Sequence, residues 1–310
     1  MVKTTLGRTG LDVSVMGVGV GGPSQIGKKT GKSEAESAQI ILKAFDAGVN
    51  FVDTAEGYGT EPLVGLALKE LPRDKVVIST KKSSKGHAAE AVAKSCEESL
   101  TRLGTDTIDV YSLHGVFPDD YERCREELYP ELVKLREAGK IRYIGITEMF
   151  NADKDHRMVA RALEDDLWDV VMVGFNILNQ TARESVLQKA IQNNIGVQVM
   201  FAVRKAMSNP DYLLETLRSL IEAGQIDVDD LDDPAHPLDF LVHDKGAVSV
   251  PDAAYRFCRH EPGTHVILSG TGNPDHLRQN VESLERPALP ASDLNRLKHI
   301  FRKVDSTTGQ

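Results

Sequence analysis

Ile108-Asp109-Val110-Tyr111-Ser112-Leu113 is a short, largely apolar run, and Ile141-Arg142-Tyr143-Ile144-Gly145-Ile146 is a second. Between them lies a helical pattern from about Tyr121 to Glu137, stopped at Gly139. Two strands joined through a helix run parallel, because a hairpin turn is too short to return the chain to the same end of the sheet. The same unit repeats outward in both directions. Upstream, Leu6-Gly7-Arg8-Thr9-Gly10-Leu11 reads as a hairpin turn before a first strand, Val13 to Val20. Ser33 and Glu36 then form a capping box for a helix that ends near Gly48. Asn50 to Thr54 is a strand, Glu61 to Leu71 a helix, Val76 to Thr80 a strand and Ala88 to Leu103 a helix. Downstream come a helix at Arg157 to Glu164, the strand Asp169 to Val173, a helix at Glu184 to Gln192 and the strand Val197 to Phe201. A long helical stretch, the strand His265 to Leu268 and a helix from Pro274 complete the series.

Eight short strands therefore alternate with helices, and their apolar character suits a sheet covered on both faces. Eight βα units match a closed (β/α)₈ barrel, with residues 1–310 as a single domain. No Pro/Gly/Ser linker divides the chain. Lys205 to Pro251 is longer than a barrel loop requires and is expected to be a helical insertion after the seventh strand, over the catalytic face, with a strongly acidic stretch from Asp227 to Asp233.

The 37 Lys and Arg against 46 Asp and Glu give a net charge of -9, and no basic cluster interleaved with aromatics points to nucleic acid. Cys96, Cys124 and Cys258 are odd in number and lack metal-ligand spacing, so they read as reduced thiols, with no metal expected. With no secretory signal and no apolar run of membrane-spanning length, a cytoplasmic protein without a membrane partner is expected.

Two glycine-rich segments imitate nucleotide motifs. Gly17-Val18-Gly19-Val20-Gly21-Gly22 spells a dinucleotide fingerprint, but the helix that should open at its last glycine begins only after Ser33. A strand end at Gly19 and Val20 lying flat against a ligand is the better reading. Gly31-Lys32-Ser33 resembles the end of a P-loop without the strand that a P-loop needs.

In such a barrel the chemistry sits at the C-terminal strand ends. Those ends supply Asp53, Tyr58 in the loop after it, Lys81 and His114. Singly, each has an ordinary explanation: a helix cap, a packed ring, a solvated lysine, a core histidine. Together, at successive strand ends, they form a set suited to carbonyl reduction. Hydride addition leaves an alkoxide that needs a proton, and a free tyrosine, with a pKa of about 10, is a weak acid at neutral pH. A Lys81 ammonium beside Tyr58 is expected to lower that value, with Asp53 holding the lysine charged and His114 orienting the substrate oxygen. Strand alternation puts Val77, Ser79 and Lys81 on the inner face, with Lys82 outward in water.

These same residues resemble the aldo-keto reductases. Asp53-Thr54-Ala55-Glu56-Gly57-Tyr58-Gly59 is similar to the family's D-T-A-x-x-Y-G segment, Ser79-Thr80-Lys81 to its strand-end lysine, and Asp109 to His114 to its histidine strand. Gly139 to Gly145 and Gly270-Thr271-Gly272-Asn273 before Leu277-Arg278-Gln279-Asn280 extend the likeness over nearly the whole chain. It implies that Asp53, Tyr58, Lys81 and His114 form the catalytic tetrad, acting on an aldehyde, ketone or sugar with NADP or, alternatively, NAD. A cofactor-binding regulatory subunit of the same fold is the other function it allows.

Asn273 followed by Pro274 reads as a capped helix start with free N–H groups for a phosphate. The resemblance places the adenosine phosphate at Gly270, Thr271, Gly272 and Asn273, with Gln279 and Asn280 at adenine. This chain departs from the family at several cofactor positions. Gly270 and His276 stand where a permanent cation often grips a 2′-phosphate. Thr147-Glu148 replaces the Ser-Asn pair for the nicotinamide amide, and Met172 replaces a glutamine. Ala202-Val203-Arg204-Lys205 replaces Tyr-Ser-Pro-Leu, removing the expected ring-stacking tyrosine and turning Arg204 and Lys205 toward the pyrophosphate.

Overall fold

The computed structural model describes residues 1–310. The chain opens with an antiparallel hairpin, β1 (Lys3–Thr5) and β2 (Asp12–Ser14). Eight parallel strands follow: β3 (Met16–Gly19), β4 (Phe51–Asp53), β5 (Val77–Ser83), β6 (Ile108–Val116), β7 (Ile141–Glu148), β8 (Val170–Gly174), β9 (Gly196–Met200) and β10 (Val266–Ser269). They close into a barrel, with β10 paired to both β9 and β3. The expected run from Val13 to Val20 is in fact two strands in two sheets, separated by a bend at Val15.

That bend has a packing reason. Leu6, Leu11 and Val13 of the hairpin fold under the barrel and pack against Phe51, Val77, Val110, Val170 and Val266. Those five are inward-facing residues near the N-terminal ends of their strands. Moving up two residues at a time, Phe51 leads to Asp53, Val77 to Ser79 and Lys81, and Val110 to Ser112 and His114. The barrel interior therefore passes from an apolar plug at its base to polar side chains at its top. Outward-facing Val52, Ile78, Tyr111, Ile144, Val171 and Val197 belong to the larger core beneath the helices.

The helices answer to local signals. Glu34–Asp46 has the full Ser33/Glu36 capping box. The segment from Tyr121 to Glu137 is helical throughout but widens to a π turn over Cys124–Leu128, just before Pro130 removes an N–H from the ladder.

The segment after β9 departs from expectation. Only its two ends reach the barrel mouth, through Lys205, Ser208 and Pro251. Its body packs Leu213, Leu217 and Leu220 of the helix Pro210–Glu222 into the main core. The acidic stretch faces the C-terminal region instead: Asp227 and Asp230 pair with Arg302, and Asp232 pairs with Arg296. Its charges are answered by the chain's own C-terminal arginines, which composition alone does not reveal.

Candidate active site

Asp53 ends β4, and Lys81 lies on β5, which runs on to Ser83, beyond the expected end at Thr80. Lys81 Nζ donates to both Asp53 carboxylate oxygens, at 2.6 and 2.7 Å, and to the Thr54 carbonyl at 2.6 Å. An ammonium has three N–H bonds, and all three are used. Ser79 Oγ donates to Asp53 at 2.9 Å from below. Burial pushes the Asp53 carboxyl up and the Lys81 ammonium down, and their mutual contact opposes both shifts.

Tyr58 ends a 3₁₀ turn, Glu56–Tyr58, that is closed by Gly59 in the left-handed region at φ 65°. Gln25 Nε2 holds the Tyr58 carbonyl at 3.0 Å. Tyr58 Oη is 3.2 Å from His114 Nε2, and the two rings meet edge to face at 5.3 Å. Gly21 lies against the phenol: a Cβ there would come within 2.0 Å of the ring. The glycine-rich strand end thus makes room for a flat group, and that group is Tyr58.

The electrostatics differ from the sequence expectation. Burial, then the charge of Asp53, holds the Tyr58 phenol above its ordinary value, and Arg204 opposes them. Lys81, 5.6 Å from the ring centroid, is bound to Asp53, and the phenol stays high beside the pair. Tyr58 is therefore fully protonated at neutral pH. Burial, then Lys81, pushes His114 down to about 3, so its imidazole is neutral and can present one N–H.

Lys82 is not in water. It is 9% exposed and pairs with Glu56 at 2.8 Å, and Ser95 donates to the same carboxylate at 2.9 Å. Glu56 begins the turn that ends in Tyr58, so Lys82 ties that turn to the outside of the barrel.

Above these groups opens a cleft of about 1210 Å³, larger than the roughly 300–1,000 Å³ of a common small-ligand pocket. It runs from Asp53 and Tyr58, past Met172 and Arg204, to the segment Gly270–Asn273 with His276, Gln279 and Asn280. Gly19 and Lys205 also line it. Val20 does not: it is fully buried in the larger core. Asn273 caps the helix Pro274–Glu285, its Oδ1 accepting the Asp275 N–H at 2.9 Å. A side chain at Gly270 would come within 2.3 Å of the Gly19 carbonyl, so the turn can be this close-fitting only as glycine. Asn280 donates to Ser269 at 2.9 Å, fixing its carboxamide beside the turn. A long groove, a turn with glycine at Gly270 and Gly272 and a capped helix start fit an adenine dinucleotide.

Thr147 and Glu148 are not brought to the cleft. Thr147 Oγ1 accepts the Gly115 N–H at 2.8 Å. Glu148 faces the outer side of β7, where it meets His156 Nδ1 at 3.0 Å and the Gly174 N–H at 2.7 Å. Phe201 was missed by sequence reading: it lines the cleft one residue before the segment that replaces Tyr-Ser-Pro-Leu, with φ 68° turning the chain out of β9. Its aromatic character at a strand end was the available signal. Lys32, set aside with the P-loop imitation, also lines the cleft.

A profile of the Aldo/keto reductase family matches residues 17–302. The chain belongs to the aldo/keto reductase family. Among curated proteins, this aldo/keto reductase is 29% identical over 317 residues to an NADH-specific methylglyoxal reductase of Escherichia coli (strain K12), covering 92% of this chain and 94% of that one. It is 38% identical over 152 residues to an L-galactose dehydrogenase of Arabidopsis thaliana, covering 46% of this chain and 47% of that one. In fold it is similar to the holo form of the aldo-keto reductase AKR11C1 from Bacillus halodurans, with a TM-score of 0.72 at 21% identity over 99% of this chain and 97% of that one. This aldo/keto reductase is an NAD(P)H-dependent oxidoreductase acting on C=O or CH–OH groups. None of its helices is long and apolar enough to cross a membrane.

Proposed function

We propose that the chain is a catalytically active reductase of small aldehydes, ketones or sugars, with Tyr58 as proton donor, His114 as the orienting group and Lys81–Asp53 as their electrostatic support. We read residues 1–310 as one domain working in the cytoplasm. The observation that carries this reading is the 3.2 Å contact of Tyr58 Oη with His114 Nε2 beside the buried Lys81–Asp53 pair, at the floor of the cleft.

A reduced nicotinamide, held in the cleft lined by Met172, Phe201 and Gly270–Asn273, would supply the hydride for the carbonyl carbon. As that bond forms, negative charge grows on the carbonyl oxygen, held between the Tyr58 hydroxyl and His114 Nε2–H. Tyr58 passes its proton to this oxygen, because an alkoxide is a stronger base than a phenolate. Arg204 then stabilises the phenolate until solvent returns the proton. His114 can act as a neutral donor because burial keeps it uncharged at working pH. Gly270–Asn273 and Asn280 would hold the adenosine end, with Met172 and Phe201 forming the wall nearer the reaction.

The test is steady-state turnover of a carbonyl panel with NADPH and with NADH. Robust reduction that disappears in Tyr58→Phe supports the reading. Cofactor binding without turnover, in a correctly folded wild type, would make the chain a cofactor-binding partner protein instead.

A further inference from the structure

The charged groups near Tyr58 are nearly all paired. Lys81 is held by Asp53, Lys82 by Glu56, and His114 is neutral. Arg204 is the exception. Its guanidinium stacks on Phe201 at 4.0 Å from the ring centroid, lines the cleft and is half-buried. Its Nε is sealed from solvent with no acceptor, and the guanidinium forms no ion pair. Arg204 and Tyr58 act on each other electrostatically across the cleft. A buried guanidinium without a counter-ion carries a desolvation cost that an arriving anion relieves.

We infer that Arg204 is the anion clamp of the substrate site and selects carbonyl compounds that carry a carboxylate. This rests on the carbonyl-reducing function proposed above. The position favours a substrate group over the cofactor's pyrophosphate. Gly270–Asn273 and the capped helix at the far end of the cleft already provide a phosphate seat, whereas Arg204 acts electrostatically at the reacting end. Stacking on Phe201 fixes the guanidinium plane, which leaves its edge for a paired contact with both carboxylate oxygens. Lys205 does not duplicate it, because its ammonium lies over the Tyr212 ring at 3.7 Å on the exposed rim. The reaction is unchanged and balanced: the aldehyde carbon takes a hydride from the reduced nicotinamide, its oxygen takes the Tyr58 proton, and the carboxylate leaves as it entered.

The test compares benzaldehyde with 2- and 4-carboxybenzaldehyde in the wild type, Arg204→Met and Arg204→Lys, with NADPH affinity and benzoate affinity of the NADP-loaded enzyme measured by calorimetry. The wild type should prefer at least one of the acids. Arg204→Met should lower the acid-to-neutral ratio of kcat/KM by about 10- to 100-fold, the range of a charge-assisted contact, and weaken benzoate similarly. Arg204→Lys should fall between the two. An unchanged ratio and unchanged benzoate affinity overturn the inference. So does a tenfold loss of NADPH affinity with the ratio intact, which makes Arg204 a cofactor residue. If the wild type reduces no aldehyde, the proposed function fails separately. Benzoate then still decides the clamp: loss in Arg204→Met supports it and equal affinity overturns it.

Discussion

Replacing His114 with asparagine should make the protein less sensitive to acid. In the folded chain His114 protonates only near pH 3, whereas in the unfolded chain it protonates near 6.5. Below pH 6.5 the unfolded state therefore binds a proton that the folded state refuses, and stability falls by about 1.4 kcal/mol for each further pH unit. The loss begins as pH drops through 6.5 and stops near 3, where the folded form also protonates. Between pH 7.5 and 4.5 this one residue should remove about 2–3 kcal/mol of stability. An asparagine carboxamide takes up no such proton, and every other titrating group is common to both proteins. Urea melts at several pH values should then show the wild type losing about 2–3 kcal/mol more than His114→Asn across that interval. Parallel pH dependences, within about 0.5 kcal/mol, would refute a neutral, buried His114, and with it the donor role derived for Nε2.

Tyr58→Phe should lower single-turnover reduction by about 10²–10⁴-fold while cofactor affinity, read by calorimetry, moves by less than about threefold. Gly21→Ala should drive a methyl into the Tyr58 ring, so kcat should drop steeply while the thermal midpoint shifts little; normal turnover would show that the ring's seat is not limiting. Lys81→Met should cost about 3–5 kcal/mol by stranding Asp53, and Lys82→Met a smaller amount, about 1–2 kcal/mol, because Glu56 keeps Ser95 and partial solvent. Equal losses in the two variants, measured by urea melts, would contradict that ordering. NADPH should be preferred over NADH, with Lys32 supplying the cation that Gly270 and His276 lack, and Lys32→Met should narrow the kcat/KM ratio; a tenfold preference for NADH in the wild type sinks this expectation.

The barrel was legible because helix and strand periods alternate eight times, and because strand parity fixes which side chains face inward. Ser79 and Lys81 do share the inner face and both reach Asp53, as two-residue alternation requires. What parity does not contain is the partner on another element. Lys82 faces outward as expected, yet it is buried, because Glu56 from the preceding loop and Ser95 from the following helix close over it. The bend at Val15 was hidden for a similar reason: Val13 to Val20 is broken by a single polar residue, Ser14, and only the plug under the barrel divides it between β2 and β3. The resemblance carried Thr147 and Glu148 toward the cofactor by position, while the fold commits their side chains to Gly115 and His156. Phe201 escaped because a positive φ at a non-glycine residue leaves no signature in a hydrophobic pattern.

The hairpin plug also dictates traffic. With Leu6, Leu11 and Val13 sealing the base of the barrel, everything that reaches Asp53 and Tyr58 must come and go by the same door. A dinucleotide laid along the cleft would share that doorway with the carbonyl compound that enters and the alcohol that leaves. The closed end of the barrel, far from any atom that takes part in the reaction, thus makes cofactor and substrate neighbours in a single entrance.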